Sequence, residues 1–209
     1  DGSDGSADTH PSHSRRDEPL PEPVAHRDSP EGVTLADPAL EPLPGATVDT
    51  GHLGGAVYQI EVPDDWNGSV VYFAHGFRGN PPELKVQMPP IREHLIGNGY
   101  AWAASSYSRN NYDPATGALD THALTKLFNG KFGKPKRTYI TGASMGGHVT
   151  GIVAEQWPQS YDGAMPICGV LGDYELFDFF LDFNVAAQTL SGVGQQYPYG
   201  ADYLTTTVP

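Results

Sequence analysis

The segment Arg137-Thr138-Tyr139-Ile140-Thr141-Gly142-Ala143-Ser144-Met145-Gly146-Gly147 passes from β-branched and aromatic residues into a serine bracketed by glycines. Residues 137–141 read as a strand. Residues 145–157 read as a helix that stops at Pro158, whose ring and missing N–H end helical pairing. So short a turn forces the serine into a strained backbone conformation and lifts its hydroxyl above the sheet edge. Side chains at 142 and 146 would collide with the neighbouring strand and helix, which accounts for glycine at both. The helix starts at the serine, so its unpaired N–H groups face any negative charge developing on a bound carbonyl oxygen. Ser144 is the candidate nucleophile, and the amide of Met145 is one candidate donor to that oxygen.

Outward from this turn the chain alternates strand and helix. Residues 56–62 alternate apolar with polar and read as a half-buried strand, whereas residues 70–74 are continuously apolar, as in a strand covered on both faces. That second strand runs into His75-Gly76-Phe77, at the end of a sheet where open α/β folds place their ligands. The Phe77 amide is the second candidate donor, and His75 is expected to position its loop. A helix is expected over about 91–97, a strand over 100–105, and a helix over 121–132 with Asp120 as its N-cap. Residues 107–112 follow a strand end and are candidates for the cleft wall. Residues 164–168 read as a further buried strand, with Cys168 an inert hydrophobe. The order predicts an α/β fold, with a mostly parallel sheet and helices on both faces.

Composition narrows the function. The chain has 209 residues, 12 basic against 25 acidic side chains and a formal charge of −13. An acidic balance argues against nucleic-acid binding, which needs a basic face to displace counterions. No apolar run approaches the roughly 18–20 residues of a membrane span. One cysteine excludes an intrachain disulfide and an all-cysteine metal cluster. No phosphate-binding loop, dinucleotide fingerprint or metal-ligand spacing is present, so no cofactor and no metal are expected. The first 45 residues hold eight of the 19 prolines and ten of the 25 acids, with three arginines. They read as a disordered Pro/Asp-rich arm, unable to offset their ordering entropy by burial. A polar Ser/Gly/Asp arm with no basic-then-apolar leader fits an exported protein whose signal peptide is gone, extracellular or periplasmic.

The pair of motifs, residues 72–77 (Tyr-Phe-Ala-His-Gly-Phe) and 142–148 (Gly-Ala-Ser-Met-Gly-Gly-His), resembles the α/β-hydrolase superfamily. Within it the chain is most similar to secreted bacterial serine esterases and prolyl-oligopeptidase-like hydrolases, over about residues 50–175. The resemblance implies acyl transfer: attack by Ser144 on a small-molecule or polymeric ester, an acyl-enzyme, then hydrolysis by water. A peptidase of the same fold is the sub-variant. In this family the triad runs serine, acid, histidine along the chain. Here the only later histidine is His148, within the same helix as the turn, and Asp173 is a weak candidate for the acid. The expected organisation is an arm over 1–45, a hydrolase core over 46–172, and the start of a cap or lid over 173–209, incomplete at the C-terminus. A chain that is the N-terminal portion of a larger hydrolase, needing a complementary C-terminal part for activity, is the competing expectation.

Overall fold

A computed structural model describes residues 32–192. In chain order the elements are β1 (Thr34–Leu35), β2 (Ala46–Leu53), β3 (Ala56–Pro63), β4 (Ser69–Ala74), β5 (Glu83–Leu84), α1 (Arg92–Gly97), β6 (Ala101–Ser105), α2 (Pro114–Phe132), β7 (Arg137–Ala143), α3 (Met145–Gln156), β8 (Gly163–Ile167) and α4 (Asp173–Ser191). Six strands form one sheet in the order β2-β3-β6-β4-β7-β8. β2, β3 and β6 pair antiparallel, whereas β6, β4, β7 and β8 run parallel. β1 and β5 form a separate two-stranded pair.

Alternation along β4 builds two cores. Val70, Tyr72 and Ala74 face one side, packed with Leu124 and Phe128 of α2 and Val149 and Val153 of α3. Val71 and Phe73 face the other, packed with Leu95 and Ile96 of α1 and with Trp102. Helices on both faces and a parallel centre agree with the α/β expectation.

Several local expectations are corrected. β3 is buried along its whole length, not half-buried. Its polar members are partnered: the Glu61 carboxylate accepts from the Leu43 N–H at 2.7 Å, from Trp102 Nε1 at 2.7 Å and from Arg92 Nε and Nη2 at 2.7 and 2.8 Å. Burial alone would raise the Glu61 pKa, but these donors outweigh it and hold the carboxyl below its usual range. The same region holds residues 38–43, within the stretch assigned above to the arm. Gln59 Nε2 donates to Pro38 O, Arg92 Nη2 donates to Glu41 O, and Leu40 and Leu43 pack on the second core. The reading of the arm over 1–31, and of the cap over 193–209, lies outside the described residues.

α2 begins seven residues earlier than its spacing suggests. Its cap is Asp113, which accepts from the Thr116 N–H at 3.0 Å, with Pro114 at the first helical position. Asp120 is instead a buried mid-helix carboxylate that accepts from the N–H and Oγ of Ser108. Among the described residues β8 is an exposed edge strand rather than a buried one, and Cys168 just after it is exposed with φ +48°. Residues 173–191 form α4, a helix that leaves Phe177, Phe179, Phe180 and Phe183 exposed.

Candidate active site

The sheet order decides where a site can form. The chain leaves β4 for β6 on one side, then crosses through α2 to β7 on the other. β4 is therefore a topological switch point, and the crevice outside the C-terminal ends of its strands is the natural ligand position. The loops after β4, β6 and β7 converge there.

Ser144 occupies the turn from β7 to α3 with φ +56° and ψ −122°, a region that L side chains rarely adopt. Its residue is exposed, while Met145 beside it is buried. The turn is pinned by the Ser144 N–H donating to Ile167 O at 2.9 Å and the His148 N–H donating to Ser144 O at 3.1 Å. The glycines are required by close approach. A Cβ on Gly142 would meet Ala74 O at 2.5 Å and also Gly146 O; one on Gly146 would overlap Ala74 O and lie 2.7 Å from Ala74 C. Backbone atoms cannot yield as a flexible side chain can, so the end of β4 and the first turn of α3 sit in contact only because neither carries a side chain.

The loop after β4 lies beside this turn. A Cβ on Gly76 would be 3.6 Å from Ser144 Cβ, which puts Phe77 next in line, 53% exposed. Among the described residues, neither the Phe77 nor the Met145 N–H donates to a backbone acceptor. His75 is buried and holds the loop. Its Nδ1 lies 2.8 Å from Gly76 O and its Nε2 3.0 Å from Ser106 O, and its ring stacks on Tyr107 at 3.9 Å. The Tyr107 hydroxyl donates to His75 O at 3.0 Å. Burial lowers the His75 pKa, against the upward pull of the two carbonyls. Each ring nitrogen faces a carbonyl oxygen and whichever carries the proton donates to it, which fits a positioning residue.

The other described histidines lie elsewhere. His148 Nδ1 is 3.0 Å from the Tyr112 hydroxyl. His122 stacks on Trp157 at 4.0 Å, and burial with the nearby Lys126 charge lowers its pKa to about 4. His94 is on α1 and His52 on β2. For Asp173, the structure gives only its place at the start of α4.

Tyr112 is the site residue whose position was least evident beforehand. It lies in the loop after β6, yet its ring contacts Phe77 at 6.4 Å, His148 at 6.2 Å and Phe177 at 6.0 Å. One aromatic side chain thus bridges the β4 loop, α3 and α4. The run 107–112 was a cleft candidate in the sequence, but no periodicity could single out the ring that makes the bridge. No group of metal-ligating side chains occurs among the described residues, and no described helix is long and apolar enough to cross a membrane.

Residues 97–197 match the model of the prolyl oligopeptidase family. Over that stretch, which carries the Ser144 turn, the chain is similar to prolyl-oligopeptidase-like hydrolases, and its mostly parallel sheet flanked by helices is consistent with an incomplete α/β-hydrolase fold. It is 26% identical over 141 residues to an o-phthalyl amidase of Xanthobacter agilis, covering 66% of this chain and 30% of the amidase. It is also 26% identical over 134 residues to an uncharacterized esterase of Agrobacterium fabrum, covering 52% and 24% respectively. The chain thus spans under a third of the length of these two relatives. Among solved structures it is similar to a prolyl endopeptidase, with a TM-score of 0.49 and 19% identity over 61% of this chain and 21% of the other.

Proposed function

We propose that this α/β-hydrolase chain belongs to a serine hydrolase that cleaves carboxylic esters through an acyl-enzyme on Ser144. The carrying observation is Ser144 itself: exposed, at φ +56° on a strand–helix turn whose flanking glycines admit no Cβ. Strain of this kind persists only where the surroundings over-determine it, and it concentrates at functional residues. In the proposed reaction Ser144 Oγ attacks the ester carbonyl carbon as a base removes its proton. The carbonyl oxygen becomes an oxyanion facing the Phe77 and Met145 N–H groups. Collapse of the tetrahedral intermediate expels the alcohol, and water releases the acid by the same route. The described histidines are engaged with Gly76 and Ser106, with Tyr112, or on distant elements, so we place the general base outside residues 32–192. Action outside the cytoplasm, in an extracellular or periplasmic space, is part of the same proposal, on the polar composition of the arm.

A peptidase reading has its own support, since the matching family model is that of prolyl oligopeptidases and one relative is named as an amidase. One experiment separates the alternatives. The full-length protein is treated with a fluorophosphonate probe and then assayed on matched short-chain ester and peptide-amide substrates. Labelling of Ser144, abolished in Ser144→Ala, with faster turnover of the ester is expected. Labelling with preference for the peptide would favour the peptidase. An unlabelled Ser144 in a folded, full-length protein would overturn both.

A further inference from the structure

A cavity of about 580 Å³ lies away from the serine. One stripe of α2 lines it: Leu119, Ala123 and Leu127 recur at four-residue spacing, over about 12 Å of helix. Leu53 at the end of β2 and Trp157 at the C-terminal cap of α3 complete the apolar lining. Ser144 caps the other end of the 12-residue α3, about 18 Å of helix away. The reaction proposed above does not use this cavity.

Leu53, Leu127 and Trp157 are only partly buried. Each packs on the first core and also lines the cavity, so apolar surface stays open to water beside the core. Covering such surface is favourable roughly in proportion to its area. Two polar side chains join the lining. His122 lies flat on Trp157, with centroids 4.0 Å and planes 3° apart, and its Nδ1 is 3.3 Å from the Tyr161 hydroxyl. With its pKa lowered to about 4, by burial first and then by the Lys126 charge, the ring is neutral at pH 7. Lys126, one turn further along the same stripe, is exposed, and no carboxylate among the described residues lies within ion-pair distance of it. No acidic side chain lines the cavity, and the chain has no Asp or Glu from 121 to 154. The cavity is therefore apolar along α2, with one uncompensated positive charge at its edge. A mostly apolar concavity of this size with a few placed polar groups is the usual make-up of a small-molecule site.

We propose that this cavity binds a small anionic amphiphile, with an alkyl chain lying along Leu119, Ala123 and Leu127 and an anionic head at Lys126. Charge complementarity selects the head: a cationic head would meet the Lys126 ammonium, and a neutral one would gain no Coulomb attraction from it. The chain's net charge of −13 does not oppose binding, because exposed charges beyond about 8 Å are screened at physiological salt. The site is separate from the serine, so the proposal does not rest on the hydrolase reading.

The test is calorimetric titration of the full-length protein at pH 7 with decanoate, its neutral isostere decanamide and decyltrimethylammonium, each below its micellar concentration. Saturable one-to-one binding of decanoate is expected, about fivefold tighter than decanamide, as one partly exposed ion pair allows, with the ammonium weakest. Lys126→Gln should bring decanoate and decanamide to within about twofold of each other, because only the charge is lost. Ala123→Trp should fill the cavity and abolish binding of both. Unfolding midpoints report that each variant is folded, and the exposed Lys126→Gln change keeps the test decisive if Ala123→Trp does not fold. No saturable binding of decanoate to the wild-type protein would overturn the proposal. So would decanoate affinity unchanged in a folded Ala123→Trp, or equal affinity of the wild type for decanoate and decanamide. Binding of an acidic amphipathic peptide but not of decanoate would assign the cavity to a protein partner and overturn it as well.

Discussion

Replacing Ser144 by glycine should stabilise the protein while removing its candidate nucleophile. At φ +56° and ψ −122° the Cβ of Ser144 is held where L side chains crowd their own backbone. Residues in such sparsely populated regions cost about 1–3 kcal/mol each. Ser144→Gly removes that cost but adds the backbone entropy of glycine, roughly 0.5–1 kcal/mol. The residue is exposed, so little packing is lost. The net gain is about 1 kcal/mol, taken as the difference of these two ranges. Ser144→Ala keeps the Cβ and hence the strain, and is the correct reference. Urea unfolding of full-length wild type, Ser144→Ala and Ser144→Gly should give midpoints in the order Gly above Ala, with Ala near wild type and unchanged m-values. A Gly variant no more stable than the Ala variant would refute the assignment of strain to this turn.

Three further outcomes follow from other contacts. Gly146→Ala would drive a Cβ into Ala74 O and the His75 backbone, so a loss of more than about 2 kcal/mol is expected by chemical denaturation. Gly130→Ala in α2, where a Cβ meets nothing within 4 Å, should instead gain about 0.5–1 kcal/mol. Glu61→Gln removes the buried anion and strands Arg92 and Trp102, for an expected loss of about 3–5 kcal/mol. The folded-state pKa of Glu61 lies below 4.5, so its contribution is complete above the unfolded value and is lost as pH falls through the folded value. Unfolding midpoints of wild type should drop in that acid range, and the drop should be smaller in Glu61→Gln; parallel pH profiles would show that Glu61 is not the group responsible.

The positions of Ser144 and the β7–α3 turn were legible in the sequence because the chemistry is local. A strand, a turn with obligatory glycines and a helix occupy eleven consecutive residues, 137–147, and each enforces the next. The start of α2 was also marked locally, by Asp113-Pro114, but the apolar period of the helix interior drew the boundary towards Asp120. Burial of Glu61 was not legible. Alternation in 56–62 pointed its side chain towards water, and only the pairing of β3 with β6 and the arrival of Arg92 and Leu43 made a charged core position tolerable.

What the sequence determined alone, then, is the serine on its sharp turn and the alternation that demands a parallel sheet, since both follow from backbone sterics and periodicity within short segments. What only tertiary structure decided is which distant side chains meet there. Tyr112 bridging Phe77 and His148, and residues 38–43 held against Glu61, both depend on strand order. Strand order is set by long-range packing of two hydrophobic faces, a balance among contacts far apart in the chain that no local pattern encodes.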